Sequence, residues 1–375
     1  CIICVAMPCC SCCFRVSNKK EKHASDLYSR SMSRLSSEKK IKLFSYAELR
    51  SATNNFHRST SIGRGGFGAV YKGALRDGGG DVAVKVLSAH SRQGTREFLT
   101  EIDVIANVEH PNLVALLGCC VEGRHRILVY ELLHNGSLHG ALLASAGDPA
   151  RLTWAIRRGV CVGVARGLAF LHEEMASGPI VHRDIKASNV LLDAGYGAKI
   201  GDFGLAKLFP DAATHVSTRV AGTAGYLAPE YALHGHLTKK ADVYSFGVLL
   251  LETVTGKSSS RSLHLSDEGD KVLVERVWEL YEAANLRDMI DPAMEDGCNE
   301  EEAVRYMKVA LMCTQATPLR RPSMLRVLEM LEKDVRLREK EITPPGYVLR
   351  DNKDSHSTSM VVASHTLTEL APRCY

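Results

Sequence analysis

The chain has little net charge, no evident internal repeat, and no stretch near its start that is apolar for long. Each shortage closes off a class of protein. A formal charge of +4 over 375 residues does not suit a protein that spreads a basic face over nucleic acid. The basic excess is confined to one end. Residues 1–42 hold nine Lys/Arg against three Asp/Glu, a balance of +6, which leaves −2 for the remainder. These charges lie in a Ser/Lys-rich segment without periodicity, the composition of a disordered tail suited to an anionic surface. The apolar stretch within the first fourteen residues is too short and too broken to span a bilayer, which needs ~20 residues. The lack of repeats sets aside solenoids and propellers.

What is present is a set of groups for handling phosphate. Val181-His182-Arg183-Asp184-Ile185-Lys186-Ala187-Ser188-Asn189 places a carboxylate, a lysine and an amide at offsets 0, 2 and 5, and Asp202-Phe203-Gly204 begins eighteen residues past Asp184. Phosphoryl transfer asks a protein for a carboxylate that orients a hydroxyl, ligands for a divalent ion, and positive charge around the phosphates. Upstream, Ile62-Gly63-Arg64-Gly65-Gly66-Phe67-Gly68-Ala69-Val70 is a G-x-G-x-x-G-x-V stretch. Its glycines let backbone N–H groups approach phosphate oxygens without a Cβ in the way. A dinucleotide-binding turn shares this spacing but runs straight into a helix. Here the glycines lead into Ala69-Val70-Tyr71, a Gly-rich turn and Asp81-Val82-Ala83-Val84-Lys85-Val86, so they sit between strands of a hairpin.

Lys85 lies on an apolar strand, where an ammonium needs a partner. Phe98, Ile102, Ile105 and Ala106 recur at helical spacing, which predicts a helix over about 95–108 carrying Glu101 as that partner. Taken alone, Lys85 and Glu101 read as an ordinary core-edge lysine and a solvated glutamate. Beside the glycines and the downstream carboxylates they read as one catalytic set. Val243 to Leu251 is almost wholly apolar and reads as a buried helix. Met307, Leu311, Met312, Met324, Leu328 and Leu331 read as helix core, and Cys119, Cys120, Cys161 and Cys313 as inert core thiols. Asp242 suits a cap on backbone N–H groups.

In this order the glycine loop, Lys85, Glu101, His182-Arg183-Asp184, Asn189, Asp202-Phe203-Gly204, Ala228-Pro229-Glu230, Asp242 and Arg321 resemble a eukaryotic protein kinase from about residue 45 to 334. More narrowly the chain resembles the plant receptor-like kinases related to the Pelle/IRAK group. Phe44-Ser45-Tyr46-Ala47-Glu48-Leu49, Ala52-Thr53-Asn54-Asn55-Phe56, Leu128-Val129-Tyr130-Glu131, Gly222 to Tyr231, Asp242 to Gly247 and Arg320 to Met324 carry that likeness. Receptor-like cytoplasmic kinase is the subgroup it fits, with the cold-responsive protein kinases as the nearest likeness.

The resemblance implies an α+β fold of two lobes: a small β-sheet lobe with one helix (about 59–131) and a mostly helical large lobe (about 132–334). Residues 43–58 would be a flank, 1–42 a membrane-anchoring tail, and 335–375 a flexible C-terminal tail. ATP would bind between the lobes, against Ile62, Gly63, Gly65, Gly66, Phe67, Gly68, Val70, Ala83, Lys85, Glu101, Tyr130, Glu131 and Leu133. Tyr130 would close the back of the pocket, and Glu131 and Leu133 would offer backbone groups to the adenine. Asp184 would orient the acceptor hydroxyl or take its proton, and Lys186 would neutralise the γ-phosphate. Asn189 and Asp202 would hold Mg²⁺, with Mn²⁺ as the alternative ion. Lys186 and Thr223 point to serine/threonine rather than tyrosine acceptors, with dual specificity as a second reading. The implied activity is that of a non-specific serine/threonine kinase in plant signalling near a membrane. A catalytically silent scaffold relaying receptor complexes is the alternative; the intact motif set weighs against it.

Arg183 beside Asp184 asks for an anion. Phosphorylation in the segment 202–230, at Thr218 first, Ser217 second, or Thr223, would supply one. Glu230 and Arg321 read as an ion pair within the large lobe, and His182 as a packed core histidine. Of twelve cysteines, Cys1, Cys4, Cys9, Cys10, Cys12 and Cys13 occupy the first thirteen positions. A zinc site needs a partner pair that Cys1-x-x-Cys4 lacks, and His23 is isolated. S-acylation of Cys9, Cys10, Cys12 and Cys13 next to the basic tail meets the two-signal requirement for stable anchoring. That places the chain on the cytoplasmic face of the plasma membrane, or in the cytoplasm without acylation. Protein substrates, an upstream receptor kinase and an anionic inner leaflet are the expected partners, and nucleic acid is not. Met7 serves as a start, giving a Met-Pro opening that excludes myristoylation; alternatively a transmembrane span and ectodomain precede residue 1.

Overall fold

A sheet of six strands carries the upstream motifs: β1 (Lys42–Leu43), β2 (Ser61–Gly65), β3 (Gly68–Ala74), β4 (Asp81–Leu87), β5 (Leu116–Glu122) and β6 (His125–Glu131), in the order β1-β5-β6-β4-β3-β2. The computed structural model describes residues 41–363 apart from 66–67, 77, 79, 89–91, 107, 144–151, 210–214, 260–270, 295–296 and 351–359. Gly66, Phe67 and the N-terminal cysteines therefore lie outside the described residues. β2 and β3 form the hairpin that the sequence predicts, and β3 pairs with β4 so that Val70 stands opposite Lys85. Period-two alternation buries Val82 and Val84 on one face and leaves Lys85 on the other, the face that also carries Ala83 and the buried Leu87.

Helix α1 (Tyr46–Ala52) packs outside this sheet, capped by Ser45 Oγ, which accepts from Glu48 N at 3.1 Å. Helix α2 (Arg92–Ile105) buries Phe98, Ile102 and Ile105 completely, the apolar stripe legible in the sequence. It starts and ends three residues earlier than that stripe predicts. Val108 N donates to Ile105 O at 3.0 Å, so the chain turns there ahead of His110-Pro111.

The large lobe holds α3 (Leu138–Leu143), α4 (Trp154–Ala169), α5 (Pro229–His234), α6 (Lys239–Thr255), α7 (Leu273–Glu282), α8 (Glu300–Cys313) and α9 (Met324–Glu332). Every residue of α6 from Ala241 to Thr255 is buried, because α4, α7 and α8 pack around it. At Gly247 a Cβ would lie 2.7 Å from Cys313 Cβ and 3.0 Å from Ala310 O, so this glycine sets how closely α6 and α8 approach. Thr238, not Asp242, caps α6, accepting from Lys240 N at 3.1 Å. Among the described residues, no helix is long and apolar enough to cross a membrane.

Both expected tail boundaries need correction. Ile41 is buried and Lys42 pairs in parallel with Gly118, so the folded part begins before residue 43. The C-terminal segment, expected to be free from residue 335, lies on the large lobe through Tyr347. Gln315 Oε1 accepts from Thr343 N (3.2 Å) and Thr343 Oγ1 (2.8 Å), and Tyr244 OH donates to Gly346 O at 2.7 Å. Ile342 and Tyr347 are buried. After a single 3-10 turn at Glu339–Glu341 the segment runs as a strap whose partners sit far away in sequence.

Candidate active site

The loop that carries Asp184 is held from below by one carboxylate. Asp242, fully buried on α6, accepts from His182 N at 2.7 Å and from Arg183 N at 2.9 Å, with His172 Nε2 at 3.0 Å. Burial alone would raise its pKa; the bonds from His172 and the charge of both histidines outweigh it and hold the carboxyl below its usual range. Arg183 has a left-handed backbone (φ 71°), as has Asp202 (φ 64°). Two non-glycine residues in that region mark stored strain, sustained by the bonds around them. His182 is fully buried, donates from Nε2 to Gly201 O at 3.1 Å, and packs edge-on to Phe203 with ring centroids 4.8 Å apart.

That loop brings Asp184, Lys186, Asn189 and Thr223 together. Asp184 Oδ2 accepts from Lys186 Nζ at 2.7 Å and Asn189 Nδ2 at 3.0 Å, while Oδ1 accepts from Thr223 Oγ1 at 2.7 Å. Lys186 Nζ also donates to Thr223 Oγ1 at 2.7 Å. The antiparallel pair Val190–Leu192 and Ala198–Ile200 joins Asn189 to Gly201, whose N–H donates to Asn189 O at 2.9 Å. Asp202 thus follows directly from the end of the hairpin that Asn189 begins.

Lys85 Nζ reaches across from β4 to Glu101 Oε1 (2.5 Å) and Asp202 Oδ1 (2.7 Å). Burial opposes its charge, yet the two carboxylates outweigh it and raise the ammonium pKa above its ordinary range. Glu101 is pushed up to about 7, first by burial, with Lys85 opposing and Asp202 adding to the rise. Asp202 is lowered, because Lys85 outweighs the cost of its burial. Tyr130 OH donates to the other oxygen of Glu101, a contact that no local pattern announces.

Along the glycine loop, Gly68 (φ 146°) is irreplaceable, since a Cβ would stand 2.1 Å from Val86 O. Gly63, Gly65, Val70 and the exposed Ile62 lie on the β2–β3 hairpin, and Ala83 on β4. Ala83, Tyr130 and Leu133 share one apolar cluster with Leu191 of the large lobe. Leu191 is absent from the sequence reading, where it is one apolar residue in Val190-Leu191-Leu192. Glu131 N donates to Ala115 O at 3.1 Å. Its side chain takes Ala115 N (2.8 Å) and Lys199 Nζ (2.8 and 2.9 Å).

Arg183 meets neutral oxygens rather than an anion. Its guanidinium donates to Leu205 O (3.1 Å), Arg219 O (2.9 Å) and the phenol of the buried Tyr231 (3.1 and 2.5 Å). Tyr231 OH also accepts from Ala221 N at 3.0 Å, so this phenol gathers both the loop arginine and the end of the segment. Ser217 and Thr218 lie where that segment returns to the large lobe, with Thr218 N donating to Gly235 O at 3.1 Å. Thr223 is of another kind. Its hydroxyl donates to Asp184 Oδ1 and accepts from Lys186 Nζ, each at 2.7 Å. The core thiols Cys119 and Cys120 are raised to about 11 and Cys161 and Cys313 to about 12, by burial first, which leaves them unreactive.

Comparison with known proteins agrees with this geometry. The family model described as protein tyrosine and serine/threonine kinase matches residues 56–331. Cold-responsive protein kinase 1 of Arabidopsis thaliana is 54% identical over 310 residues, covering 82% of this chain and 78% of that protein. Two probable LRR receptor-like serine/threonine-protein kinases of the same plant are 54% and 48% identical over 307 and 355 residues. They cover 82% and 90% of this chain but only 29% and 34% of their own lengths. The chain belongs to the protein kinases, in the protein tyrosine and serine/threonine kinase family.

Proposed function

We propose that this protein is an ATP-dependent serine/threonine protein kinase, and that the residues gathered around Asp184 and Lys85 carry the reaction. The observation behind this is the Asp184 centre: one carboxylate flanked by an ammonium, an amide and a hydroxyl. The acceptor oxygen of a Ser or Thr side chain attacks the γ-phosphorus of ATP, the bond to the β,γ-bridging oxygen breaks, and ADP leaves. Asp184 orients the hydroxyl and receives its proton. Lys186 faces the charge that develops on the γ-phosphoryl oxygens, and Lys85 holds the α- and β-phosphates. Thr223, hydrogen-bonded to Asp184, lines the place where the substrate hydroxyl must sit.

The oxygens present suit a hard divalent ion, Mg²⁺ or Mn²⁺ in its place. Among the described residues no group of three or more His, Cys, Asp or Glu is placed to hold a metal ion. Asp202 and Asn189 are the residues that would hold it, and Asn189, with Nδ2 committed to Asp184, turns Oδ1 the other way. When bound, the ion neutralises charge on the phosphates.

The decisive experiment incubates the purified chain with Mg-ATP and a generic protein substrate, beside Asp184→Asn and Lys85→Ala. Phosphoserine and phosphothreonine in the product, absent with Asp184→Asn, are expected. Equal labelling by both variants would place the chemistry elsewhere, and phosphotyrosine in the product would widen the specificity. Signalling under a receptor kinase at the plasma membrane, through acylated Cys9, Cys10, Cys12 and Cys13 and the basic tail, completes the proposal. It is supported by the receptor-like relatives and by the composition of residues 1–42.

A further inference from the structure

Helix α1 lies across the small lobe between two turns. At its first residue, Tyr46 N donates to Glu122 Oε1 at 3.0 Å, and the Tyr46 ring stacks on His125 of the β5–β6 turn with centroids 3.8 Å apart. Its other end meets the β3–β4 turn, where Arg76 Nη2 donates to Ser51 Oγ at 2.7 Å. Helical spacing turns Leu49 inward, with the buried Thr53 after it, and leaves Ala47, Arg50, Ser51 and Asn54 outside. A shallow hollow of about 470 Å³ runs along that outer stripe, lined by Tyr46, Ala47, Arg50, Ser51, Asn54 and Asn55. Asn55 Oδ1 accepts from Arg50 Nε at 2.5 Å, which fixes that guanidinium along the hollow.

Positive charge collects around it. Residues 41–60, 75–80 and 122–126 hold six cations, Lys42, Arg50, Arg58, Arg76, Arg124 and Arg126, against three acids, Glu48, Asp77 and Glu122, a balance of +3. Five of the cations are exposed and Arg126 is half-buried. Of the acids, Glu48 is met by Lys42 at 3.4 Å and Glu122 by Tyr46 N, while Asp77 lies outside the described residues. Strand β1 runs straight into α1, so residues 1–40, with eight Lys/Arg against three Asp/Glu, join the fold at the border of this face. The centres around Asp184 and Lys85 use none of these side chains.

We infer that the outer face of α1 and its two flanking turns is a docking surface for a bilayer bearing anionic phospholipid, with the hollow beside Arg50 and Arg76 receiving a headgroup phosphate. The inference rests on the membrane reading only in bringing the chain near a lipid surface. A guanidinium presents a planar fork to phosphate oxygens, and the Ser51 hydroxyl and Asn54 amide add donors beside it. Cations laid against an anionic leaflet strengthen partition by about fivefold each. A basic tail by itself holds a chain near the membrane in any orientation. A second cluster on a folded face, next to the point where the tail joins, fixes one orientation.

The test uses the full chain made in bacteria, where its cysteines carry no acyl group, and vesicles of phosphatidylcholine alone or mixed with phosphatidylserine. The chain should sediment with the mixed vesicles. Arg50→Gln, Arg76→Gln and Arg124→Gln should each weaken that binding by about fivefold. Lys333→Gln, Arg336→Gln and Lys340→Gln, exposed on the large lobe, should leave it unchanged. A photo-crosslinking residue installed in place of Ala47 during translation should capture phosphatidylserine, and one in place of the exposed Leu325 of the large lobe should not. This second readout leaves every cation intact, so it does not depend on how the glutamine variants fold. Equal losses from the two sets of variants overturn the inference, because the charge then acts without a face. So does capture of another protein chain, or of nothing, at position 47. Failure of the acylation reading would show separately, as Cys9, Cys10, Cys12 and Cys13 free of acyl chains in protein taken from eukaryotic cells.

Discussion

Lys85 in the small lobe and Arg321 in the large lobe are both buried cations bonded to a glutamate on a helix, yet they are built for different ends. Arg321 meets Glu230 through both Nη atoms at 2.8 Å, and donates to Gln315 O at 2.8 Å and Lys240 O at 3.0 Å. Its guanidinium lies over the Tyr244 ring, 5.0 Å from the centroid. A planar fork can satisfy itself in this way, and a point charge cannot. Lys85 is one ammonium shared between two carboxylates, Glu101 and Asp202, with Tyr130 OH on the far oxygen of Glu101. Anion exceeds cation there, so that centre is open to rearrangement when phosphates and a divalent ion arrive. The Arg321 pair is closed and has nothing further to do but hold α5 against the lobe.

The comparison is sharpened most by removing the acceptor carboxylate beside the open centre. Asp184→Asn should lower kcat by about 10²–10⁴-fold while leaving the thermal midpoint near that of the parent, as scanning calorimetry would show. A large fall in the midpoint would make this loop a structural feature like the Arg321 pair. Next comes Arg321→Ala, which leaves the partly buried Glu230 without its partner and should cost ~3–5 kcal/mol in urea unfolding. Activity per folded molecule should then change far less than stability; the reverse would erase the distinction between the two centres. A smaller effect is expected at Gly346, where a Cβ would stand 2.9 Å from Pro229 Cγ and 3.1 Å from Ala316 Cα. Gly346→Val should cost ~1–3 kcal/mol by overpacking, with the loss seen as faster amide exchange in α5. No change would mean that the C-terminal strap does not brace Glu230's helix.

The smallest effect is a pH dependence at Glu101. Glu101 is raised to about 7, chiefly by burial. Its own contribution to stability is therefore fully present below the ordinary carboxylate range and lost as the pH rises through about 7. Its ion pair with Lys85 has the opposite requirement, an ionised Glu101. Activity should thus fall as the pH drops through about 7, and Glu101→Gln, slower throughout, should show a flat profile there. An unchanged acid limb in Glu101→Gln would assign that limb to another group.

Much of this molecule was legible before any coordinates. The stripe Phe98, Ile102, Ile105 defined a helix and its buried side, and placed Glu101 on the helix side that can reach Lys85. The unbroken apolar run from Val243 marked α6 as surrounded. The hairpin reading of the glycines excluded a dinucleotide-binding turn because it depended on what followed them in the chain. The limits of α2 were misjudged by three residues at each end, since the turn at Ile105 depends on a local bond rather than on periodicity. The C-terminal segment was misread because its partners, Gln315 and Tyr244, lie up to a hundred residues upstream.

By itself the sequence determined the elements, their buried faces and the identity of the chemical groups, since periodicity, caps and turn residues act over a few positions. The tertiary structure alone decided which groups share an atom. Tyr130 finds Glu101, Thr223 finds Asp184, and Tyr231 rather than an anion holds Arg183. Those contacts join positions 29, 39 and 48 residues apart. They come into being only when whole elements pack, because a hydrogen bond is set by distances of a few tenths of an ångström that no local pattern encodes.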